Sequence, residues 1–319
     1  ALENGFAFEV GTCATLLESL CLDARGNEAS TLMAKLLTNE NIPDTTCNMV
    51  LSSLCRSGEA CSAFKLWKDI LRFKLLSSDC LQVLLDGLCK EGRLGYANQV
   101  YMDMLSRGHV PGIGIHGALL DGFCRAGNFD EAYKVLSEMV DKGCAPNADV
   151  FNSLIHGLSK AGKMSKAVQA LEKMEEADCL PTNFTFVSLI NGFCKVELPE
   201  GALMMLKKML ERGFAPDVST YGSLIVTLCK LKKADVGYNL FQEVKQKGYV
   251  PPITSLNALV GGLCEVAKVT EAYTLLVEMH DMGLKPSKSL CEMVSKSLKE
   301  HGRCHDASKL LEVFQAQLS

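Results

Sequence analysis

The sequence is short of the features that mark most classes of function. No apolar run approaches the ~20 residues of a bilayer-crossing helix, so no membrane insertion is expected. Among fifteen Cys there is no C-x-x-C, and no H-x-E occurs; the zinc deaminase signature is therefore absent. No Ser/His/Asp arrangement and no acidic metal cluster stands out. The expectation is a chain that is not an enzyme, with no cofactor, metal or small-molecule substrate. A basic excess is missing too: 33 Lys and Arg face 37 Asp and Glu, a formal net charge of −4. Such a chain has no general positive field, and any nucleic acid must be met by a local stripe. Pro is scarce (9) and lies mostly at regular intervals, while 48% hydrophobic and 22% charged residues are the values of a folded protein.

What is present is a repeat. Residues 148–182, ADVFNSLIHGLSKAGKMSKAVQALEKMEEADCLPT, align with residues 183–217 so that Leu154, Leu158, Ala167 and Met174 fall over Leu189, Phe193, Ala202 and Met209. Units of 34 or 35 residues span 10–43, 44–77, 78–112, 113–147, 148–182, 183–217, 218–252 and 253–287, with a partial unit at 288–319. A fixed period makes this one array grown by stacking, with no need to divide it by length. Asn4, Gly5 and Phe6 match Arg212, Gly213 and Phe214. Residues 1–9 thus read as the end of a preceding repeat, and a targeting segment is expected outside the sequence.

Each unit predicts two helices. The first carries apolar residues at i, i+3, i+4 and i+7, as in Phe151, Leu154, Ile155 and Leu158; the second does so with Ala167, Ala170, Leu171 and Met174. Gly then Pro follow the second helix, as in Gly213 to Pro216, and act as stop signals. The second helix opens its apolar face with Ala29, Ala63, Ala97, Ala132, Ala167, Ala202, Gly237, Ala272 or Ala307, small enough for close packing. Cys21, Cys55, Cys89, Cys124, Cys194, Cys229 and Cys264 recur at one place of the period. That regularity reads as a small apolar slot in a reducing compartment, not as a disulfide framework.

The opening Phe151-Asn152-x-Leu154-Ile155, the turn Gly157-x-x-Lys160-Ala161-Gly162 and the Met-to-Gly-to-Pro ending resemble the pentatricopeptide repeat family, P class. Phrases such as LLDGFCRAGNFDEAYKVLSEM look like its plant organellar, fertility-restorer-like branch. The resemblance covers essentially the whole chain. It implies an all-α solenoid of helix-turn-helix repeats forming a right-handed superhelix, which binds single-stranded RNA at about one base per repeat in mitochondria or, alternatively, chloroplasts.

In that family the base is read by the fifth residue of a unit together with the unit's last residue. The matching pairs here are Asn48 with Ser77, Asn152 with Thr182 and Asn257 with Ser287, all resembling pyrimidine readers, with Ser favouring cytosine. Asn suits the role because its amide both donates and accepts. Gln82 is a further reader, whereas Ala14, Gly117, Val187, Gly222 and Glu292 occupy the same place in the other units. Asn147 and Asp217 are suitable last residues whose partners, Gly117 and Val187, are not. At the second place, where the family usually sets an apolar residue against the base, only Phe184 could stack; Thr45, Asp79, Gly114, Asp149, Ser219, Thr254 and Ser289 hold the others.

One cation per unit stands near the end of the first helix: Arg56, Lys90, Arg125, Lys160, Lys195 and Lys230. On a superhelix these would form a phosphate-binding stripe, although the helix macrodipole alone favours a cation there by ~0.3–1 kcal/mol. Glu265 and Glu300 end the run, which places RNA on the units from Asp44 to Pro252.

Three motifs are set aside. Gly112-x-Gly114-x-x-Gly117 fits a dinucleotide fingerprint but follows Pro111 and a helix, not a strand. GLSKAGK at Gly157–Lys163 fits the start of a P-loop, yet Met164 stands where the Ser/Thr is needed. His301, Cys304 and His305 lack a second ligand pair. The expected function is an organellar adaptor that occupies a short single-stranded RNA segment in RNA processing, stability or translation. The alternative is a structural component of a large assembly such as the mitochondrial ribosome, meeting ribosomal RNA and proteins without reading sequence.

Overall fold

The computed structural model describes residues 10–23, 25–36, 43–72 and 77–318. Asn4, Gly5 and Phe6 lie outside them, as does the side chain of Ala14. Among the described residues there are eighteen α-helices and no strand. The helices come in pairs: α1 (Val10–Leu22) with α2 (Gly26–Leu36), α3 (Asp44–Arg56) with α4 (Ala60–Ile70), α5 (Ser78–Lys90) with α6 (Leu94–Ser106), and α7 (Ile113–Arg125) with α8 (Phe129–Asp141). There follow α9 (Ala148–Lys160) and α10 (Met164–Glu176), α11 (Asn183–Lys195) and α12 (Pro199–Glu211), α13 (Val218–Lys230) and α14 (Ala234–Gln246), α15 (Ile253–Glu265) and α16 (Val269–Asp281), and finally α17 (Lys288–Glu300) and α18 (Cys304–Leu318).

The chain divides into two compact units, Ala1–Gly157 with Glu176–Cys179, and Leu158–Glu175 with Leu180–Ser319. In the first, α1 packs on α3, α3 on α5 and α5 on α7, each of these first helices also holding its own hairpin partner. In the second, α11, α13, α15 and α17 stack in the same way. The helical spacing decides what is inside: Leu81, Leu84, Leu85 and Leu88 of α5, and Tyr221, Leu224, Ile225 and Leu228 of α13, are all buried. Burying one such side chain is worth ~1.5–3 kcal/mol, too little for a single hairpin to fold alone, so stability accumulates across stacking interfaces.

Two small-residue seams make the close approach. Ala29, Ala63, Ala97, Ala132, Ala167, Ala202, Ala272 and Ala307 on the second helices are fully buried, and Gly237 takes the same place on α14. On the first helices, the recurrent Cys packs against the residue 32 or 33 positions on. A Cβ at Gly87 would collide with Cys55, one at Gly122 would stand 3.0 Å from Cys89 Cβ, and one at Gly157 2.8 Å from Cys124 Cβ. In the second unit, Gly262 meets Cys229 in the same way, while Thr227 and Ser297 stand where the Gly would be and bond to Cys194 and Cys264. Burial pushes the thiols of Cys55, Cys89, Cys124 and Cys229 up to about 12, which leaves them protonated and inert.

The hairpin turns are C-caps. After α3, Gly58 takes φ 77°, its N–H bonds Cys55 O and the next N–H, of Glu59, bonds Leu54 O at 2.8 Å, the double closure of a Schellman motif. The residue at this place must adopt a left-handed conformation that costs an L-residue ~1–2 kcal/mol. Gly fills it in five of the described turns, but Glu197, Lys232 and Ala267 hold φ 58° without that freedom.

Candidate nucleic-acid interface

The fifth residue of each unit sits one turn into a first helix, and the last residue of each unit is the N-cap of the following helix. That second position carries a competing duty. Asn147 Oδ1 accepts from Val150 N at 3.1 Å and Asp217 Oδ1 from Thr220 N at 2.7 Å. Ser287 Oγ accepts from Leu290 N at 3.3 Å, and Thr182 forms a reciprocal capping box with Thr185. Ser77 Oγ instead donates to Cys80 Sγ at 3.3 Å. An N-cap hydroxyl that accepts one N–H keeps its own hydrogen to donate. Thr182 Oγ1 also lies 3.1 Å from Thr185 Oγ1, and Ser287 Oγ 3.0 Å from Ser289 Oγ, so each capping hydroxyl has a second polar neighbour. The last place of a repeat is thus a helix-capping position as well as the place that the family resemblance links to a base.

The four amide readers differ in environment. Asn48 is half-buried and its Oδ1 accepts from Ser52 Oγ at 3.5 Å. Asn152 is buried, 8% exposed, with neighbours already around its amide. Asn257 is half-buried and its Oδ1 is enclosed with no hydrogen-bond partner among the described residues. A buried acceptor left open costs ~1–3 kcal/mol. Gln82 lays its carboxamide across Gly114, the second place of the next unit, in space that only a missing Cβ provides. Phe184, the one stacking candidate at a second place, is 50% exposed.

The six cations end their helices: Arg56, Lys90, Arg125, Lys160, Lys195 and Lys230 are the last residues of α3, α5, α7, α9, α11 and α13, and all are exposed. Arg56 Nε donates to Ser52 O at 3.3 Å, and Arg125 pairs with Asp121 at 2.9 Å. Lys195 Nζ donates to Lys160 O at 2.6 Å, closing the preceding first helix of the same unit. Lys90, Lys160 and Lys230 form no side-chain ion pair among the described residues. The macrodipole thus accounts for the position of every cation, and exposure leaves each positive charge facing solvent.

In the second unit several of these places meet. A cavity of about 370 Å³ is lined by Lys195 from the end of α11, by Ser219 and Gly222 from α13, and by Pro252 and Thr254 at the start of α15. These are, in order, a cation place, a second place, a fifth place, a last place and the next second place. Ser223, Thr227 and Ser255 complete its polar wall. Those three hydroxyls lie outside these four repeat places, and only their neighbourhood in space brings them in. The first unit holds another group that periodicity conceals. His116, fully buried where other repeats place Phe151, Phe186 or Tyr221, has Nε2 3.2 Å from Tyr101 Oη and Nδ1 3.0 Å from Gly112 O. Tyr101 Oη donates to Glu138 at 2.9 Å, and Lys142 reaches the same hydroxyl at 3.4 Å. Burial holds the imidazole below its ordinary pKa.

The motifs set aside in sequence have structural explanations. Gly162 of the P-loop-like stretch is the left-handed residue of a hairpin turn, and Gly112 is the N-cap of α7. Among the described residues no three His, Cys, Asp or Glu come together as a metal site. His301 Nδ1 stands 2.9 Å from Ser297 O at the end of α17.

Comparison with known proteins agrees with this geometry. A model of the PPR repeat family matches residues 116–160, 146–195 and 188–230, and a PPR repeat model matches 45–75, 81–109, 219–249 and 254–284. No curated protein sequence matches the chain. Among solved structures, the pentatricopeptide repeat protein PPR10 in complex with an 18-nt psaJ RNA element shares 19% identity at a TM-score of 0.58 over 96% of this chain and 53% of its own. The structure of PPR10 from maize gives 20% identity and a TM-score of 0.53 over 97% and 55%. The Arabidopsis thaliana nuclear protein-only RNase P 2 gives 19% identity and 0.51 over 59% and 42%. The chain spans about half the length of PPR10, and at these identities the likeness is one of fold. Seven repeat matches across most of residues 45–284 place the chain in the PPR repeat family.

Proposed function

We propose that this chain is an RNA-binding adaptor of plant organellar type and P class, acting in the mitochondrion, with the chloroplast as the alternative. It holds a short single-stranded segment by occupancy and performs no chemistry on it. Bound there, it keeps nucleases off the segment or holds a processing or translation site open. The observation that carries this reading is the convergence of Lys195, Ser219, Gly222, Pro252 and Thr254 on one cavity in the second unit. A cation, two wall positions and both reading positions of one repeat thereby surround a single space. The solved RNA complex of PPR10 supports the same use of the fold.

In this reading Asn48 with Ser77, Asn152 with Thr182 and Asn257 with Ser287 contact bases, Gln82 adds a further contact, and the six helix-end cations meet phosphates. The Oδ1 of Asn257, which has no hydrogen-bond partner among the described residues, suits the exocyclic amine of cytosine once the half-buried side chain turns to the strand, and a contact there carries the bound strand one repeat beyond Lys230. The three Asn repeats are three units apart, so the preferred oligonucleotide has pyrimidines at every third position. A binding titration tests this: the patterned strand should bind about fivefold or more tighter than one with purines at those positions, and Asn152→Ala should erase one position's preference. Equal affinities with a neutral Asn152→Ala remove base reading.

One observation favours a second reading. The side chains of Thr182, Asp217 and Ser287 are already engaged in capping, as a structural array in a ribosome-like assembly would require without base reading. Co-sedimentation with ribosomal subunits, together with no binding to the patterned strand, would select that alternative.

A further inference from the structure

Three successive hairpin turns of the second unit share one backbone and differ in charge. After α11, α13 and α15 the left-handed place is held by Glu197, Lys232 and Ala267, each at φ 58°. The closure is the same in all three: Lys232 N bonds Cys229 O at 3.0 Å, as Glu197 N bonds Cys194 O and Ala267 N bonds Cys264 O at 3.1 Å. A Gly takes this conformation without steric cost, and Gly162 and Gly302 do so at the turns on either side of the three. Strain alone therefore does not set Lys232 apart; its surroundings do. Lys230, Lys232 and Lys233 are three exposed cations within four residues, with no acid among them. Lys233 is taken by Glu200 of the preceding repeat. Lys230 and Lys232 form no ion pair among the described residues, so nothing in the turn offsets their mutual repulsion.

The cation row breaks immediately after this turn. α13 packs on α15, and α15 ends on Glu265 where α13 ends on Lys230. Burial and then the charge of Glu265 push the Cys229 thiol up, so that carboxylate lies near the turn after α13. A strand that reaches Asn257 must pass an acid at the place where the earlier repeats offer it a cation. We propose that the turn after α13 holds two successive phosphates, Lys230 the first and Lys232 the one that would otherwise face Glu265. This rests on the RNA reading above and adds a phosphate-binding residue that one cation per repeat leaves out. A Lys suits the place, since its ammonium is a compact charge on a flexible stem; Glu197, at the same place one turn earlier, would repel a phosphate. Gly at position 232 would relieve the backbone and remove the charge. Stability and binding therefore pull in opposite directions at this one residue.

The test measures binding and stability together in the full chain. Fluorescence anisotropy with the pyrimidine-patterned single strand is run across a salt series, and denaturant midpoints are taken in parallel. Lys232→Gly should raise the midpoint and lower the slope of log K against log salt by about 0.7, the share of one phosphate. Glu197→Gly should raise the midpoint likewise without lowering the slope. The double variant K230A/K232G should lose about 1.4 of slope, because two phosphates are released; a loss equal to that of Lys230→Ala alone would mean one shared phosphate and overturn the proposal. A strand with a neutral methylphosphonate at the linkage beside the Asn257 nucleotide should bind the parent severalfold more weakly than the natural strand, and Lys232→Gly should bind the two strands alike. A raised midpoint with an unchanged slope in Lys232→Gly also overturns the proposal. Failure of the parent to bind the patterned strand at any salt rejects the RNA reading itself, an outcome distinct from binding whose slope ignores Lys232.

Discussion

Two rows of residues run through the repeats, and only one of them repeats. The row of small residues on the second helices is Ala at every described place except Gly237, and each Ala is fully buried. The row of reading residues on the first helices runs through Asn48, Gln82, Gly117, Asn152, Val187, Gly222, Asn257 and Glu292. Packing imposes the same demand on every interface, since one extra methylene in a seam this tight is felt. A reading row answers to whatever lies against it, and uniformity there would recognise only a monotonous ligand. Variation is therefore expected of a code, while the seam sets the spacing at which the code is presented.

The largest effect expected on the packing row is from Ala167→Trp, which overpacks a fully buried site and should cost ~1–3 kcal/mol. A thermal midpoint equal to that of the parent would break the assignment of this row. On the reading row, Asn257→Ala should leave stability near that of the parent and weaken binding of the patterned strand by ~1 kcal/mol, about fivefold. A stability loss with unchanged binding would move Asn257 to the packing side. A similar gain of ~1 kcal/mol in stability is expected from Ala267→Gly, because φ 58° costs Ala the left-handed conformation; denaturant midpoints measure it. Lys230→Ala should change neither row's geometry, yet reduce the salt dependence of RNA binding by ~0.7 in log K against log salt. With six phosphate contacts the full slope would be about −4.

The smallest effect concerns His116, where a titratable ring interrupts the packing of the first unit. Burial, together with Lys142, lowers its pKa, while the bond to Gly112 and the charge of Glu138 raise it; Tyr101 is the remaining polar neighbour. A pKa lower in the folded than in the unfolded chain means that the unfolded state takes up the proton first. Its contribution is then present above the unfolded value near 6.5 and lost as pH falls through the folded value. His116→Phe, the residue of Phe151 and Phe186 at this place, should flatten the stability profile between pH 7 and 5. An unchanged profile would assign the acid sensitivity to other groups.

Most of the fold was legible because it is periodic. The i, i+3, i+4, i+7 spacing of Leu81, Leu84, Leu85 and Leu88 marks a one-faced helix wherever it occurs, and Gly58 or Gly162 after a first helix marks its cap. Less was legible at the interface. That Thr182 and Ser287 cap helices follows from their places at helix starts, but the same hydroxyls suit a base edge, so sequence alone leaves both uses open. The wall formed by Thr227 and Ser255 could not be anticipated, since it arises where α13 and α15 come together beside Gly222. Cys194 and Thr227 show the same limit: the Cys place is periodic, whereas its partner is Gly in some repeats and a hydroxyl in others.

The measurement that bears most directly on the account is the affinity of the chain for a single strand with pyrimidines at every third nucleotide, against the same strand with purines at those positions. The account predicts at least a fivefold preference for the first, lost position by position in Asn48→Ala, Asn152→Ala and Asn257→Ala. Equal affinity for the two strands, unchanged by all three substitutions, would contradict it.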